Sequence, residues 1–193
     1  MPRTARTLPD ACMLHIICRG NNSERLFRTR KDYLYMTRTL MRYTLRENFY
    51  IHHYSLMPTH IHILAWLEDT TNLSSIIKSL TLSYHYHYRK HHRYKGHLWH
   101  GRYRSILVST ESHWIQCGRY IEINSVHAGL CNDPSDYPWS SYHHYAFSKS
   151  DPLLRPIMYK DRPGIHHNAS YEEFIKSGID LEYQRLKIMY EKG

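Results

Sequence analysis

Apolar side chains alternate along four short segments of the chain, a pattern typical of strands in a packed sheet. The predicted strands are residues 12–18, 49–56, 60–67 and 105–108. Apolar side chains at helical spacing mark four further segments, two of them preceded by polar capping residues and one followed by a glycine, Gly129. The predicted helices are residues 31–47, 71 or 72 to 94, 111–127 and 171–191.

The order of these elements predicts the fold class. Only Met57-Pro58-Thr59 separates the second strand from the third, which predicts an antiparallel pair. The complete order lacks the strict strand–helix alternation of a doubly wound sheet, so we predict an α+β protein. Its core is a ferredoxin-like or RRM-like antiparallel sheet with helices packed on one face, plus a C-terminal helical extension. Residues 1–150 form the domain, with a basic N-terminal arm, and residues 151–193 extend that same domain.

The net charge of the chain indicates which class of molecule it binds. The 193 residues include 26 Lys and Arg against 17 Asp and Glu, a formal charge of +9 that favours a polyanion. No apolar stretch approaches the ~20 residues of a membrane span, and the basic N-terminus lacks the apolar run of a signal peptide. Nucleic acid is therefore the predicted partner, not a membrane. The four cysteines form no Cys-x-x-Cys pair, which predicts reduced thiols and a cytoplasmic, nucleoid-associated protein.

Two histidines lie two residues apart in the third predicted strand. Side chains alternate along a strand, so His60 and His62 share one face, with Ile61 on the other. Two imidazoles on a rigid strand form a pair that binds a divalent metal once the fold supplies a third ligand. The alternative is a pair of partly buried, hydrogen-bonded histidines, because the chain contains 17 of them.

A tyrosine and an asparagine lie four residues apart in the third predicted helix. Tyr120 and Asn124 are therefore neighbours on one helical face. A phenol with a pKa of ~10 is a poor nucleophile near neutral pH, unless it attacks a phosphodiester whose charge a metal and basic groups withdraw. The amide oxygen of Asn124 completes a His-His-Asn metal site. The alternative is a packing aromatic and an ordinary polar residue near the helix end.

Basic and aromatic side chains interleave along residues 84–95 and in the glycine-punctuated segment 96–105. This composition suits a nucleic-acid surface, with cations on phosphates and rings on bases. Arg19-Gly20-Asn21 is either a phosphate-holding turn or a plain loop. His87 and His91 have the spacing of helical zinc ligands, but a solvated basic helix end explains them as well.

Five stretches together resemble a known family. They are HIICRGN at 15–21, MPTHIH at 57–62, GHLWHGRY at 96–103, RYIEINSVHAGL at 119–130 and YPWSSY at 137–142. In this order and spacing they resemble the HUH superfamily of single-tyrosine transposases, and most closely the REP-associated tyrosine transposases. The resemblance covers roughly residues 12–146.

The resemblance implies roles for individual residues. His60 and His62 match the paired histidines that bind Mg²⁺ or Mn²⁺, and Asn124 stands at the polar third ligand. Tyr120 matches the nucleophile that attacks single-stranded DNA, giving a 5′-phosphotyrosine link and a free 3′-hydroxyl. Expected DNA contacts, placed by motif and charge, are Arg19, Asn21, Arg102, Arg104 and Arg119. The implied partner is DNA with REP-like hairpins, bound by a monomer or by a homodimer that exchanges the tyrosine helix.

Four positions depart from the family pattern. Thr59 stands where Asn is usual, and His100 stands where Gln is common. Ser125 and His127 replace the usual Pro and Arg, and the loss of that Arg removes one phosphate contact that His127 replaces only in part. Neither a metal ligand nor the nucleophile is lost, so we expect the chemistry to remain and the substrate preference to differ.

Three functional hypotheses follow. The first is a metal-dependent, single-strand-specific DNA endonuclease and strand transferase acting at hairpin-forming repeats. The second is a non-catalytic nucleic-acid-binding protein of RRM-like topology, derived from a transposase. The third is a metal hydrolase that uses water as nucleophile and forms no protein–DNA adduct.

Overall fold

Four strands form one antiparallel sheet in the computed structural model, which describes residues 8–46, 48–154, 169–177 and 187–188. The strands are β1 (Cys12–Arg19), β2 (Phe49–Met57), β3 (His60–Leu67) and β4 (Arg104–Val108). They lie in the order β2-β3-β1-β4, and every neighbouring pair is antiparallel. The predicted α+β class is confirmed, and each predicted strand agrees with the observed one to within a residue at either end.

Five α-helices accompany the sheet in the described residues. They are α1 (Arg30–Arg46), α2 (Leu73–His92), α3 (Glu111–His127), α4 (Tyr142–Phe147) and α5 (Ala169–Ser177). Helix α3 has the predicted bounds because Thr110 Oγ1 accepts from His113 N at its start. At its end Gly129 adopts φ +66°, which a side chain would disfavour. Helix α4, which is only six residues long, was not predicted.

Helices cover both faces of the sheet, and this arrangement positions the candidate site. Cys18 of β1 lines a cavity together with Ile77 of α2. His15, three residues earlier and therefore on the opposite face, contacts Tyr120 of α3. Helices α1 and α2 pack on each other and form the predicted one-face layer. Helix α3 adds a second layer, and β1 is buried from Cys12 to Cys18 as a result.

The C-terminal segment packs on the tyrosine helix. Helix α5 contacts α3 and α4. It begins at Ala169, two residues before the predicted start, and it is described as far as Ser177. The rest of the predicted helix lies outside the described residues, apart from 187–188. The division into a domain and an extension stays a prediction.

Candidate active site

The two histidines of β3 lie side by side at the start of that strand. The ring centroids of His60 and His62 are 4.8 Å apart with planes at 84°. His60 is partly buried, and its Nδ1 lies 3.0 Å from Thr59 Oγ1. His62 is fully buried, and its Nδ1 lies 2.9 Å from His15 Nε2. Both rings are therefore oriented through Nδ1, as supporting hydrogen bonds orient metal-binding histidines.

Tyr120 of α3 packs against His62 and against His15 of β1. Its ring centroid lies 5.6 Å from that of His62 and 6.1 Å from that of His15, both in edge-on geometry. The side chain is fully buried. A single chain thus brings the predicted nucleophile against His62, which is itself beside His60, from elements far apart in sequence.

Asn124 lies one helical turn beyond the tyrosine. Its side chain is 2 % exposed, and its amide nitrogen donates to Tyr120 O at 3.0 Å. This bond orients the amide relative to the backbone of Tyr120.

The donor set suits a divalent metal of mixed nitrogen and oxygen preference. His62 Nε2 is a buried ring nitrogen with no hydrogen-bond partner among the described residues. Such a nitrogen is what a bound cation satisfies, so the residues fit the group. Within the described part of the chain no three His, Cys, Asp or Glu side chains cluster as metal ligands. The third ligand predicted at Asn124 is an amide, and its role in metal binding stays a prediction.

His15 of β1 is a buried residue of the site for which no role was predicted from the sequence. It is fully buried, and burial, with the nearby charges of His113 and Arg104, lowers its pKa to about 3. The pKa of His62 is also held well below its usual value, by burial first and then by His60, His15 and Arg19. Both rings are consequently neutral near pH 7. The sequence signal for His15 was a single imidazole in an otherwise apolar predicted strand. The structure places it on the same face of the sheet as His62.

A buried carboxylate fixes α3 against the rest of the protein. Glu122 Oε1 accepts from His53 Nδ1 and from Ser141 Oγ, each at 2.8 Å. Glu122 Oε2 accepts from the hydroxyl of Tyr171 at 2.7 Å. Strand β2, the start of α4 and helix α5 therefore meet at one side chain, two residues from the predicted nucleophile. Gly118 makes this approach feasible, since a Cβ there would lie 2.7 Å from His53 Nε2.

The predicted DNA-binding residues lie in three places. Arg19 and Arg102 line the same cavity, and the backbone N–H of Asn21 donates to Leu98 O at 2.8 Å beside it. Arg104 of β4 lies near His15, whose pKa it helps to lower.

Arg119 lies elsewhere and is engaged by α5. Its side chain is buried, its guanidinium lies 4.5 Å from the ring centroid of Phe174, and its Nη2 donates to Ser177 Oγ at 2.7 Å. A DNA contact by Arg119 stays a prediction and would require these bonds to open.

The basic end of α2 contains a carboxylate–imidazole cluster. Asp32 Oδ1 accepts from His87 Nε2 and from His92 Nε2, each at 3.0 Å. The rings of His91 and His87 are tilted at 43° with centroids 4.5 Å apart. The contacts to Asp32 come from His87 and His92. The cluster ties α2 to the start of α1, which favours a structural role over the alternative second metal site.

The sequence of residues 10–124 matches the profile of the family described as IS200-like transposases. This match covers more than half of the chain and places it in the class of DNA-processing transposition proteins. The chain belongs to the IS200-like transposase family. No curated protein sequence matches it, and none of the described helices is long and apolar enough to cross a membrane.

The solved structures that resemble the protein include the following two. One is a REP-associated tyrosine transposase bound to a REP hairpin, with a TM-score of 0.64 and 18 % identity over 80 % of this chain and 92 % of that one. This likeness supports the fold. The other is a candidate transposase from Deinococcus radiodurans R1, with a TM-score of 0.43 and 16 % identity over 63 % of this chain and 96 % of that one.

Proposed function

We propose that this protein cleaves and rejoins single-stranded DNA at hairpin-forming repeats, with Tyr120 as nucleophile and a divalent metal as cofactor. One observation carries the proposal: Tyr120 packs on His62 within a single chain, at 5.6 Å between ring centroids. Family membership and the +9 charge support DNA as the substrate. The hairpin is proposed by analogy with the REP hairpin bound in the similar structure. Action on such DNA implies a cytoplasmic, nucleoid-associated protein.

The cleavage step is a transesterification. The phenolic oxygen of Tyr120 bonds to the scissile phosphorus as the bond from phosphorus to the 3′ oxygen breaks. The phenolic proton is lost, and the departing 3′ oxygen gains a proton, giving a 5′-phosphotyrosine link and a free 3′-hydroxyl. Attack by a 3′-hydroxyl on that link reverses the exchange and releases Tyr120. Because one phosphoester replaces another, rejoining needs no nucleotide cofactor.

His60, His62 and Asn124 would hold Mg²⁺ or Mn²⁺, which supplies Lewis-acid polarisation of the phosphate and charge stabilisation at the leaving oxygen. Hydrogen bonds to Thr59 and His15 fix the two imidazole rings through Nδ1. The bond from Asn124 to the Tyr120 carbonyl fixes the amide relative to the nucleophile's own backbone.

A binding-only function is the second candidate, and a specific observation favours it. Tyr120 is fully buried, so DNA reaches its hydroxyl only after a local rearrangement. A protein that keeps these residues but does not undergo this rearrangement would bind hairpins without cleaving them.

The deciding experiment compares wild type with Tyr120→Phe on hairpin oligonucleotides carrying single-stranded flanks. Reactions with Mn²⁺ or Mg²⁺ are resolved on a denaturing gel. We expect a metal-dependent protein–DNA band that Tyr120→Phe lacks, although the variant keeps nearly the same DNA affinity. The matched control is Tyr142→Phe, which also removes a fully buried hydroxyl but lies on α4 and should cleave normally.

Three outcomes contradict the proposal in different ways. Cleavage by Tyr120→Phe at the wild-type rate excludes the tyrosine mechanism. A cleaved product without a covalent band identifies water as the nucleophile. Tight hairpin binding without cleavage by the wild type establishes the binding-only function.

A further inference from the structure

A groove runs between α2 and the segment 96–103 that precedes β4. It consists of two adjoining cavities of about 400 and 320 Å³. Lys78 and Thr81 of α2 line both cavities, and so does Trp99 from the opposite wall. Cavities of roughly 300–1,000 Å³ are the size of small-molecule sites, so each is large enough for a nucleotide.

Trp99 is a fixed partition between the two cavities. Its indole Nε1 donates to Thr81 O at 2.8 Å, and its backbone forms an isolated bridge with Gly20 at the end of β1. The ring is partly exposed. An indole locked at its nitrogen, with part of its surface open, is suited to stack on an unpaired base.

The lining of the groove is cationic. Arg19, Lys78 and Arg102 line the larger cavity, and Lys78 also lines the smaller one. None of the described residues lining either cavity is acidic. This charge favours an anionic occupant, and the aromatic partition favours one with planar rings; a nucleic-acid strand has both properties.

The groove begins next to the candidate active site. Arg19 lies opposite His60 in the β1–β3 pairing, so one lining residue is the strand partner of a predicted metal ligand. The backbone N–H of His100 donates to Arg19 O at 2.8 Å, which fixes the outer wall of the groove to the same strand end. A strand leaving the active site past Arg19 would enter the larger cavity first.

We propose that this groove binds a single-stranded segment of the DNA substrate, with successive unpaired bases in the two cavities on either side of Trp99. Lys78, to which the sequence analysis gave no role, contacts the backbone phosphate between them. Paired bases are already stacked within a duplex and cannot enter the cavities, so the groove selects single strands. The proposal rests on the proposed function for the identity of the strand as DNA.

Photo-crosslinking tests the occupant directly and requires no cleavage. Hairpin oligonucleotides carry 5-iodouracil at one flanking position at a time, and the full-length protein is irradiated with them in EDTA. Peptide mass spectrometry then locates the adduct. We expect adducts on Trp99 or Tyr103 from one or two adjacent flanking positions; adducts only on other segments of the chain would overturn the proposal.

An affinity comparison tests the phosphate contact. Lys78→Ala should weaken binding of a flanked hairpin about threefold to tenfold and reduce the salt slope by about 0.7. It should bind a blunt hairpin like wild type. Lys31→Ala is the matched control, because Lys31 is an exposed lysine on α1 that lines neither cavity. Equal affinities of the two variants for the flanked hairpin would overturn the proposal.

The two proposals fail separately. Groove adducts without a Tyr120-dependent covalent band leave the groove as a binding site and reject the enzyme. A covalent band with adducts confined to other segments keeps the enzyme and rejects the groove.

Discussion

His15 Nε2 lies 2.9 Å from His62 Nδ1, and this contact joins β1 to β3 beneath the candidate nucleophile. Both rings are fully buried and neutral, since burial and neighbouring positive charge lower the pKa of each. One of the two facing nitrogens carries the shared proton. When it is His62 Nδ1, the Nε2 of His62 presents a lone pair, which is the form that binds a metal.

Loss of this contact should weaken metal binding. We expect His15→Ala to lower the affinity for Mn²⁺ by about 10- to 100-fold, as loss of a supporting hydrogen bond typically does. Titration calorimetry of the DNA-free protein measures this effect independently of cleavage. His144→Ala on α4 is the control, because its ring nitrogen bonds Lys149 O, away from the site. Unchanged Mn²⁺ affinity in the folded His15→Ala protein would show that His15 does not support the ligand.

Gly118→Ala should displace the tyrosine helix. The new Cβ would lie 2.7 Å from His53 Nε2, and the His53 ring is held by Glu122 and by stacking on Tyr145 at 4.5 Å. Overpacking of about 1–3 kcal/mol outweighs the roughly 1 kcal/mol by which Ala favours a helix over Gly. We expect a lower Tm, with cleavage reduced more than DNA binding.

The control for this variant is Ser112→Ala, an exposed position on the same helix. It gains helix propensity without a new contact, so its Tm should be equal or higher. A Gly118→Ala protein with raised Tm and full cleavage would contradict the close packing of α3 on β2.

Tyr171→Phe should destabilise the fold through a single lost hydroxyl. Its bond to Glu122 Oε2 is buried, so the carboxylate loses one of its three donors without access to water. The expected loss in free energy of unfolding is about 1–3 kcal/mol, measured by urea denaturation. Tyr50→Phe is the control, because its hydroxyl makes only an exposed 3.5 Å bond to Asn48. Equal free energies of unfolding for Tyr171→Phe and Tyr50→Phe would contradict this prediction.

Asp32 should make stability depend on pH at the acidic end. Burial opposes its ionisation, but hydrogen bonds led by those from His92 and Thr29 outweigh burial and hold its pKa below the usual value. A carboxyl with a lowered folded pKa contributes stability above its unfolded pKa of ~3.9. That contribution is lost as the pH falls through the lower folded value.

We therefore expect Asp32→Asn to cost about 2 kcal/mol in free energy of unfolding at neutral pH. The difference from wild type should shrink below ~pH 4. Denaturation curves across this range measure it. Asp69→Asn, at an exposed turn, is the control and should change stability less. A difference that persists at acidic pH would contradict the assignment to the ionised carboxylate.

Local patterns predicted the parts of the site that lie within one element. Alternation placed His60 and His62 on one face, and the helical repeat placed Tyr120 beside Asn124, because both relationships follow from backbone geometry alone. The partnership between His15 and His62 depends on the strand order, which brings β1 beside β3 rather than beside β2. No spacing rule contains that information.

Contacts between segments that are far apart in the sequence could not be predicted either. The engagement of Arg119 by Phe174 and Ser177 depends on where α5 packs, and the three donors to Glu122 come from three separate elements. At the basic end of α2, side chains five apart, His87 and His92, converge on Asp32 because that carboxylate is buried between two helices. Helical spacing had instead indicated His87 with His91.

The placement of Tyr120 in the third helix has a consequence for synthesis on the ribosome. The strand that bears His60 and His62 emerges first, and the helix that bears Tyr120 follows only after α2 and β4 have been translated. The donors that fasten this helix include Ser141 and Tyr171, which emerge later still. A nascent or prematurely terminated chain therefore carries His60 and His62 before Tyr120 is anchored, so under the proposed mechanism it has no positioned nucleophile.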